Sequence, residues 1–152
     1  MSTAPTPLIL VVDDDPTIAA LVCALLERDG YATRQAHSGA EALDVVAREP
    51  VTLVLLDVVM PEMDGFEVCR ALRDAGHRLP VILLTGRDDL TTRQRGMQEG
   101  VSEFLTKPID THELRARVRA QVHIVSLTAQ LETVEHNLRA AVARAATRTD
   151  PH

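Results

Sequence analysis

Apolar and polar positions alternate in blocks along the first 110 residues of the chain. Short apolar runs, rich in Val, Ile and Leu, are separated by longer segments whose apolar residues recur at helical spacing. The apolar runs are too short for helices and predict strands, buried on both faces where the run is continuous. The weakly alternating second run suits a strand at or near an edge. The predicted strands cover 8–12, 31–36, 51–57, 79–85 and 102–106.

The segments between these runs predict amphipathic helices. Asp15 is placed to cap the first helix with Pro16 as its first residue, and Ser38 to cap the second. The fourth helix is poor in apolar residues and is interrupted by Gly96. Strand–helix units with such short connections predict an α/β domain with a parallel sheet covered on both faces. The predicted helices cover 16–28, 39–48, a stretch from 66 to about 75, and 89–99.

A last helical pattern begins near 110–111 and continues without Gly or Pro to about 147, a length of roughly 55 Å. Its first part carries a stripe suited to packing on the domain, formed by Leu114, Val118 and Val122. Beyond residue 123 the apolar positions follow a new phase with alternating spacings of three and four, which is the heptad pattern of a coiled coil. This seam consists of Ile124, Leu127, Leu131, Val134, Leu138, Ala141 and Ala145.

The change of phase predicts that the seam turns away from its own domain and pairs two copies into a homodimer, most strongly over 124–138. A parallel pair would hold two domains side by side, and the orientation stays open at this point. Two alternatives are a helix that folds back on its own domain and a linker to a further domain. The predicted organisation is a disordered N-terminus (1–6), a domain (7–122), a helical extension (123–147) and a frayed end (148–152).

Composition narrows the class of protein. The chain has 152 residues, is 45% hydrophobic and carries a net charge of −6, with the acidic excess in the first 110 residues. An acidic body with few aromatic side chains argues against a nucleic-acid partner. Cys23 and Cys69 lie in helical apolar patterns and predict reduced core residues. There is no secretion signal and no apolar run near 18 residues, so we expect a cytoplasmic protein without a membrane partner.

Polar side chains stand at the ends of four predicted strands. Asp13 and Asp14 follow the first strand, Asp57 and Thr85 end the third and fourth, and Lys107 follows the fifth. In a doubly wound sheet these ends share the edge where ligands bind. Clustered carboxylates with no His or Cys favour Mg²⁺ (or Mn²⁺), and a carboxylate can act as a nucleophile toward phosphorus. The pattern therefore predicts phosphoryl transfer to an aspartate.

Lys107 is the single lysine among 16 basic residues. Lysine carries a compact charge on a thin stem, whereas arginine carries a wide planar fork. A pocket that already holds a metal ion and a phosphoryl group accommodates the compact charge more readily. Lys107 is therefore predicted to belong to the site.

Four separated motifs resemble the receiver domain of two-component response regulators, in that family's order and spacing. They are VVDDDP (11–16), LLDVVMPEMDGFE (55–67), LLTG (83–86) and FLTKP (104–108). The resemblance covers about 7–122 and implies a flavodoxin-like sheet with strand order 2-1-3-4-5. It also implies that Asp57 accepts a phosphoryl group from a histidine kinase or phosphotransfer protein.

The same resemblance implies a role for each matching residue. Mg²⁺ would be held by Asp13, Asp14, Asp57 and the carbonyl of Val59, and the phosphoryl group would be contacted by Thr85 and Lys107. Phe104 falls on the family's aromatic switch position, which works together with Thr85. The Lys107–Pro108 peptide would be cis, which X–Pro bonds tolerate.

The predicted function is a stand-alone receiver that acts as a phosphorylation-dependent switch rather than as an enzyme. One alternative is the front of a longer regulator with an output domain. Another is a Mg²⁺-dependent aspartyl-phosphate phosphatase, although that chemistry usually places an acid/base Asp two residues after the nucleophile, where this chain has Val59. Neither the kinase nor the downstream partner can be named from the sequence.

Overall fold

The computed structural model describes residues 5–86 and 89–148, in which strands and helices alternate along the chain. The strands are β1 (Leu8–Val12), β2 (Ala32–Ala36), β3 (Leu53–Asp57), β4 (Val81–Thr85) and β5 (Glu103–Thr106). The helices are α1 (Pro16–Arg28), α2 (Gly39–Arg48), α3 (Gly65–Asp74), α4 (Leu90–Gln98) and α5 (Thr111–Arg148). The predictions for 1–4 and 149–152 lie outside the described residues.

The strands form one parallel sheet in the order β2-β1-β3-β4-β5. The flavodoxin-like fold implied by the resemblance is therefore confirmed. The register aligns the carboxyl ends, since Val12 lies opposite Leu56, Asp57 opposite Leu84, and Thr85 opposite Thr106. Residues that follow these strand ends must share one edge of the sheet.

The two faces of the sheet bury two separate aliphatic clusters because neighbouring strand residues point to opposite faces. Leu10, Leu56 and Leu83 pack with α2 and α3 on one face. Ile9, Leu55 and Leu84 lie in the other cluster, together with residues of α1 and α5. Residues of β1, β3 and β4 are buried throughout, as expected for interior parallel strands.

The predicted helix caps are present. The Asp15 carboxylate accepts a hydrogen bond from the Thr17 amide at 2.9 Å, and the Ser38 hydroxyl accepts one from the Glu41 amide at 3.2 Å. Asp64 and Asp89 cap α3 and α4 in the same way. These caps satisfy amides that would otherwise lack partners at the helix starts.

Helix α5 is one continuous helix of 38 residues. Leu114 and Val118 are buried in the second cluster, and Val122 packs against it. The large seam residues between Ile124 and Leu138 are 49–62% exposed, so the helix does not fold back on its own domain.

Candidate functional site

The acidic cluster lies at the carboxyl edge of the sheet, where β1 and β3 are neighbours. Asp13 and Asp14 follow β1, and Asp57 is the last residue of β3. One carboxylate oxygen from each residue lies within 4.8 Å of the others. Asp13 and Asp57 are buried, whereas Asp14 is exposed. The cluster is therefore reached from solvent on the side of Asp14.

Only one of the two oxygens of the Asp13 carboxylate has a hydrogen-bond partner. Its Oδ1 accepts a hydrogen bond from the Asp15 amide at 2.9 Å, while its buried Oδ2 has no hydrogen-bond partner. Burial raises the pKa of Asp13, and the charges of Asp57 and Asp14 raise it further. A buried carboxylate oxygen that lacks a hydrogen-bond partner and lies among other carboxylates destabilises the fold unless a cation binds there.

This donor set fits a small, hard cation. The ligand atoms are all oxygen, three carboxylates converge, and no His or Cys takes part. Mg²⁺ prefers one or two carboxylates and keeps several waters, and the exposed side of Asp14 leaves room for them. The residues present are therefore chemically suited to Mg²⁺.

Lys107 faces Asp57 from the neighbouring loop. Its Nζ lies 3.1 Å from Oδ2 of Asp57, and its backbone amide donates to the Thr85 carbonyl at 2.7 Å. The Lys107–Pro108 peptide bond is cis. The buried Thr85 at the end of β4 and the ammonium of Lys107, which follows β5, thus stand on one side of the acidic cluster.

The loop after β3 wraps closely around Asp57. The Val59 amide donates to Oδ1 of Asp57 at 3.2 Å, and the Val59 side chain is 75% exposed. A Cβ on Gly65 would lie 2.5 Å from the Asp57 carbonyl oxygen, so only glycine allows α3 to begin this close to the strand end. Gly65 lies within one of the receiver-like motifs, but the local sequence does not predict its role, since its close contact with Asp57 becomes visible only in three dimensions.

Phe104 of β5 lies in a slot against α4. A Cβ on Gly96 would overlap the end of the Phe104 ring, and the Arg93 guanidinium lies 5.5 Å from the ring centre. From the sequence, Gly96 is predicted only to interrupt a weak helix. The structure shows that its missing side chain makes space for this ring.

Comparison with known proteins identifies the family. The family model described as "Response regulator receiver domain" matches residues 9–119. This chain belongs to the response-regulator receiver family. The response regulator MprA of Mycobacterium avium (strain 104) is 45% identical over 112 residues, which make up 74% of this chain and 49% of that protein. The chain therefore spans about half the length of this curated relative.

Solved receiver structures agree with the assignment. The receiver domain of the Francisella response regulator 1452 superposes with a TM-score of 0.74 at 32% identity, covering 78% of this chain and 98% of the other. The chemotaxis protein CheY4 of Vibrio cholerae superposes with a TM-score of 0.73 at 28% identity, covering 76% and 98%. In both cases nearly the whole of the other chain is matched.

The long helix α5 adds no membrane span to this receiver. Among the helices formed by the described residues, none combines the length and the apolar character needed to cross a bilayer.

Proposed function

We propose that this receiver is a phosphorylation-dependent switch whose phosphoacceptor is Asp57. The observation that carries the proposal is the convergence of Asp57 with two further carboxylates and with the Lys107 ammonium 3.1 Å away. Asp57 is the member of the cluster that is buried, central in the sheet and paired with a cation. The donor is a histidine kinase or a phosphotransfer protein.

In the proposed transfer, a carboxylate oxygen of Asp57 forms a bond to phosphorus as the bond from phosphorus to the donor imidazole breaks. The imidazole leaves with the electron pair and takes up a proton from solvent. Asp13, Asp14, Asp57 and the Val59 carbonyl would hold Mg²⁺, and the bound ion would supply positive charge next to the phosphoryl oxygens. Thr85 and Lys107 bind those oxygens from the other side. This chain thus assists the transfer mainly by positioning and electrostatics.

An apolar groove beside the site supports binding of a protein donor. It is about 340 Å³ in volume and runs between α1 and the start of α5. Leu21 on its wall is 66% exposed, and Lys107 itself lines the groove. A partner seated there would bring its own phosphoryl group to the same edge of the sheet.

Phosphorylation is proposed to act through Thr85 and Phe104. Phosphoryl oxygens would draw the Thr85 hydroxyl toward Asp57, and the space released would let the Phe104 ring turn inward. Phe104 contacts α4 through the slot at Gly96. The conformational signal would therefore reach the surface formed by α4, β5 and α5, where it changes partner binding or the packing of a dimer.

We also propose that the extension (123–147) of the receiver (7–122) joins two copies through its seam. A longer regulator, with α5 as the connector to an output domain, is the second candidate, and the greater length of the curated relative favours it. An aspartyl-phosphate phosphatase is disfavoured, since Val59 offers no acid–base group.

Intact-mass measurement tests the assignment of Asp57. Incubation with a small phosphodonor and Mg²⁺ should add one phosphoryl group to the full chain, and omission of Mg²⁺ should abolish the adduct. Asp57→Asn should remain unmodified, while Asp15→Asn, a change in the helix cap, should still be modified. An adduct that persists in Asp57→Asn would refute the assignment.

A further inference from the structure

The peptide group that joins Asp13 to Asp14 is bound by a histidine from the neighbouring strand. The Nδ1 atom of His37, which follows β2, lies 3.2 Å from the backbone carbonyl oxygen of Asp13. A carbonyl oxygen can only accept a hydrogen bond, so this ring nitrogen carries the proton and donates it. His37 is half-buried, which limits competition from water for this hydrogen bond.

The contact continues the pairing of β1 with β2 beyond the ends of both strands. The Asp13 amide donates to the Ala36 carbonyl at 3.0 Å, which is a regular step of the parallel ladder. The next regular step would bring the amide of residue 38 to the Asp13 carbonyl. Ser38 instead begins α2 as its N-cap, and the ring of His37 supplies the donor.

The backbone from which this ring leaves is itself fixed. The His37 amide donates to Oε2 of Glu41 at 2.8 Å, and the Glu41 amide donates to the Ser38 hydroxyl at 3.2 Å. These two bonds tie the residues before α2 to the first turn of that helix. His37 can therefore act as a firm support for the residue that it binds.

We infer that His37 is a positioning residue for the Mg²⁺ site. The inference rests on the proposed function and adds a residue that touches neither the ion nor the phosphoryl group. The carbonyl that His37 binds belongs to the peptide group between Asp13 and Asp14, so the bond restricts rotation of that group. The orientation of this one peptide plane sets the directions in which both side chains leave the backbone.

Both carboxylates depend on this restraint. The Asp13 side chain is held at Oδ1 by the Asp15 amide, and its buried Oδ2 is the oxygen left to meet a cation. Asp14 is exposed, so packing does little to fix its carboxylate, and the direction of its backbone decides where that group lies. Ligands that are already in place bind more tightly, because less conformational freedom is lost on binding.

Calorimetric titration of the full chain with Mg²⁺ tests the inference. His37→Ala removes the donor and should weaken Mg²⁺ binding by roughly three- to tenfold, as expected for the loss of one hydrogen bond. The Mg²⁺ concentration that half-saturates phosphorylation by a small phosphodonor should rise by the same factor. The rate at saturating Mg²⁺ should stay within about twofold of the native rate, since the change affects binding of the ion and not the transfer.

Two further variants separate the hydrogen bond from the bulk of the ring. The side-chain nitrogen in His37→Asn stands as many bonds from the backbone as Nδ1 does and can donate to the same carbonyl, so Mg²⁺ affinity should be largely restored. His37→Leu fills the space without a donor and should bind Mg²⁺ as weakly as His37→Ala. His136→Ala, which removes an exposed histidine far along α5, is the control that should bind as the native chain does. Thermal unfolding checks that each variant is folded.

Native Mg²⁺ affinity in both His37→Ala and His37→Leu would overturn the role of His37. Equal weakening in His37→Asn and His37→Ala would overturn it as well, because the loss would then follow the ring and not the hydrogen bond. A native chain that binds no Mg²⁺ would instead refute the metal site of the proposed function, and the role of His37 with it.

Discussion

At the scale of single residues, Lys107 connects the chemistry of the site to its geometry. Its Nζ reaches the buried Asp57 carboxylate at 3.1 Å, and its backbone amide is held by the Thr85 carbonyl. The stem of the side chain therefore leaves from a fixed point beside the acidic cluster. The loop therefore fixes where the positive charge of Lys107 lies.

Lys107→Arg is expected to preserve the fold but to slow phosphorylation by about tenfold or more, because a planar fork cannot place its charge where the ammonium lies. The rate of mass increase with a small phosphodonor measures the effect, and thermal unfolding checks the fold. Lys107→Ala provides the reference for complete loss of the charge. Phosphorylation and switching at native rates in Lys107→Arg would mean that the single lysine reflects composition alone.

Gly96→Ala is the second residue-scale prediction. Adding a methyl group to a helix interior normally stabilises by about 1 kcal/mol, but overpacking of a filled site costs about 1–3 kcal/mol. Because the new Cβ would overlap the Phe104 ring, we expect a net loss of about 1 kcal/mol in the free energy of unfolding. Urea denaturation measures this change.

The control for Gly96→Ala is the same substitution in a Phe104→Ala background. With the ring removed, the added methyl group meets open space, and the change should become neutral or stabilising. Equal destabilisation in both backgrounds would show that Phe104 does not occupy the slot.

Some residues of the site could be predicted from the sequence and others could not. Asp13, Asp57, Thr85 and Lys107 are found at the common edge because each ends or follows a strand that the apolar pattern predicts, and the ends of parallel strands meet at one edge of the sheet. Gly65 and Gly96 act through contacts with Asp57 and Phe104, respectively, and a contact of that kind leaves no local pattern.

At the scale of elements, strand and helix bounds were predicted to within about two residues. The third and fourth strands begin at Leu53 and Val81, two residues later than their apolar runs. Pro80 has no amide hydrogen to donate to the sheet, and the Thr52 hydroxyl is engaged by the Leu8 amide. An apolar run shows which residues are buried, whereas a strand is defined by backbone hydrogen bonds to its neighbours. The two therefore differ at the first residues of β3 and β4.

The ion pair between Arg115 of α5 and Asp29, at the C-terminal end of α1, leads to a prediction about the pH dependence of stability. Arg115 donates two hydrogen bonds to the Asp29 carboxylate, at 2.8 and 2.7 Å, and these bonds lower the pKa of Asp29. A carboxyl group whose pKa is lowered by folding stabilises the fold above its unfolded pKa, about 3.9. That stabilisation is lost as pH falls through the folded value.

Asp29→Asn should therefore be less stable than the native chain at neutral pH, and the difference should shrink as pH falls below about 4. Urea denaturation across this pH range measures it. Asp44→Asn, which removes the exposed pair with Arg48 within α2, is the control with a smaller expected effect. A difference between Asp29→Asn and the native chain that stays constant down to pH 2 would contradict the linkage.

At the scale of the whole molecule, the sequence pattern predicts the parallel sheet, but the strand order came from the resemblance to receiver domains. Alternating strands and helices are compatible with more than one order of strands in the sheet, because the crossover rules fix the handedness of each connection and not the position of each strand. The family motifs removed that ambiguity. The exposure of the seam was predicted from its change of phase alone.

Truncation after Val122 is the decisive experiment on assembly. The native chain is expected to be dimeric at tens of micromolar and the truncated receiver monomeric, because the large seam residues and their exposed apolar area lie beyond that point. Sedimentation equilibrium on both chains measures the association. Leu131→Glu, which puts a charge in the seam, should abolish pairing, whereas His136→Glu on the opposite side of the helix should leave it unchanged. If the native chain and both variants were all monomeric at these concentrations, α5 would instead serve as a connector, since an exposed leucine seam without a partner is otherwise costly to maintain.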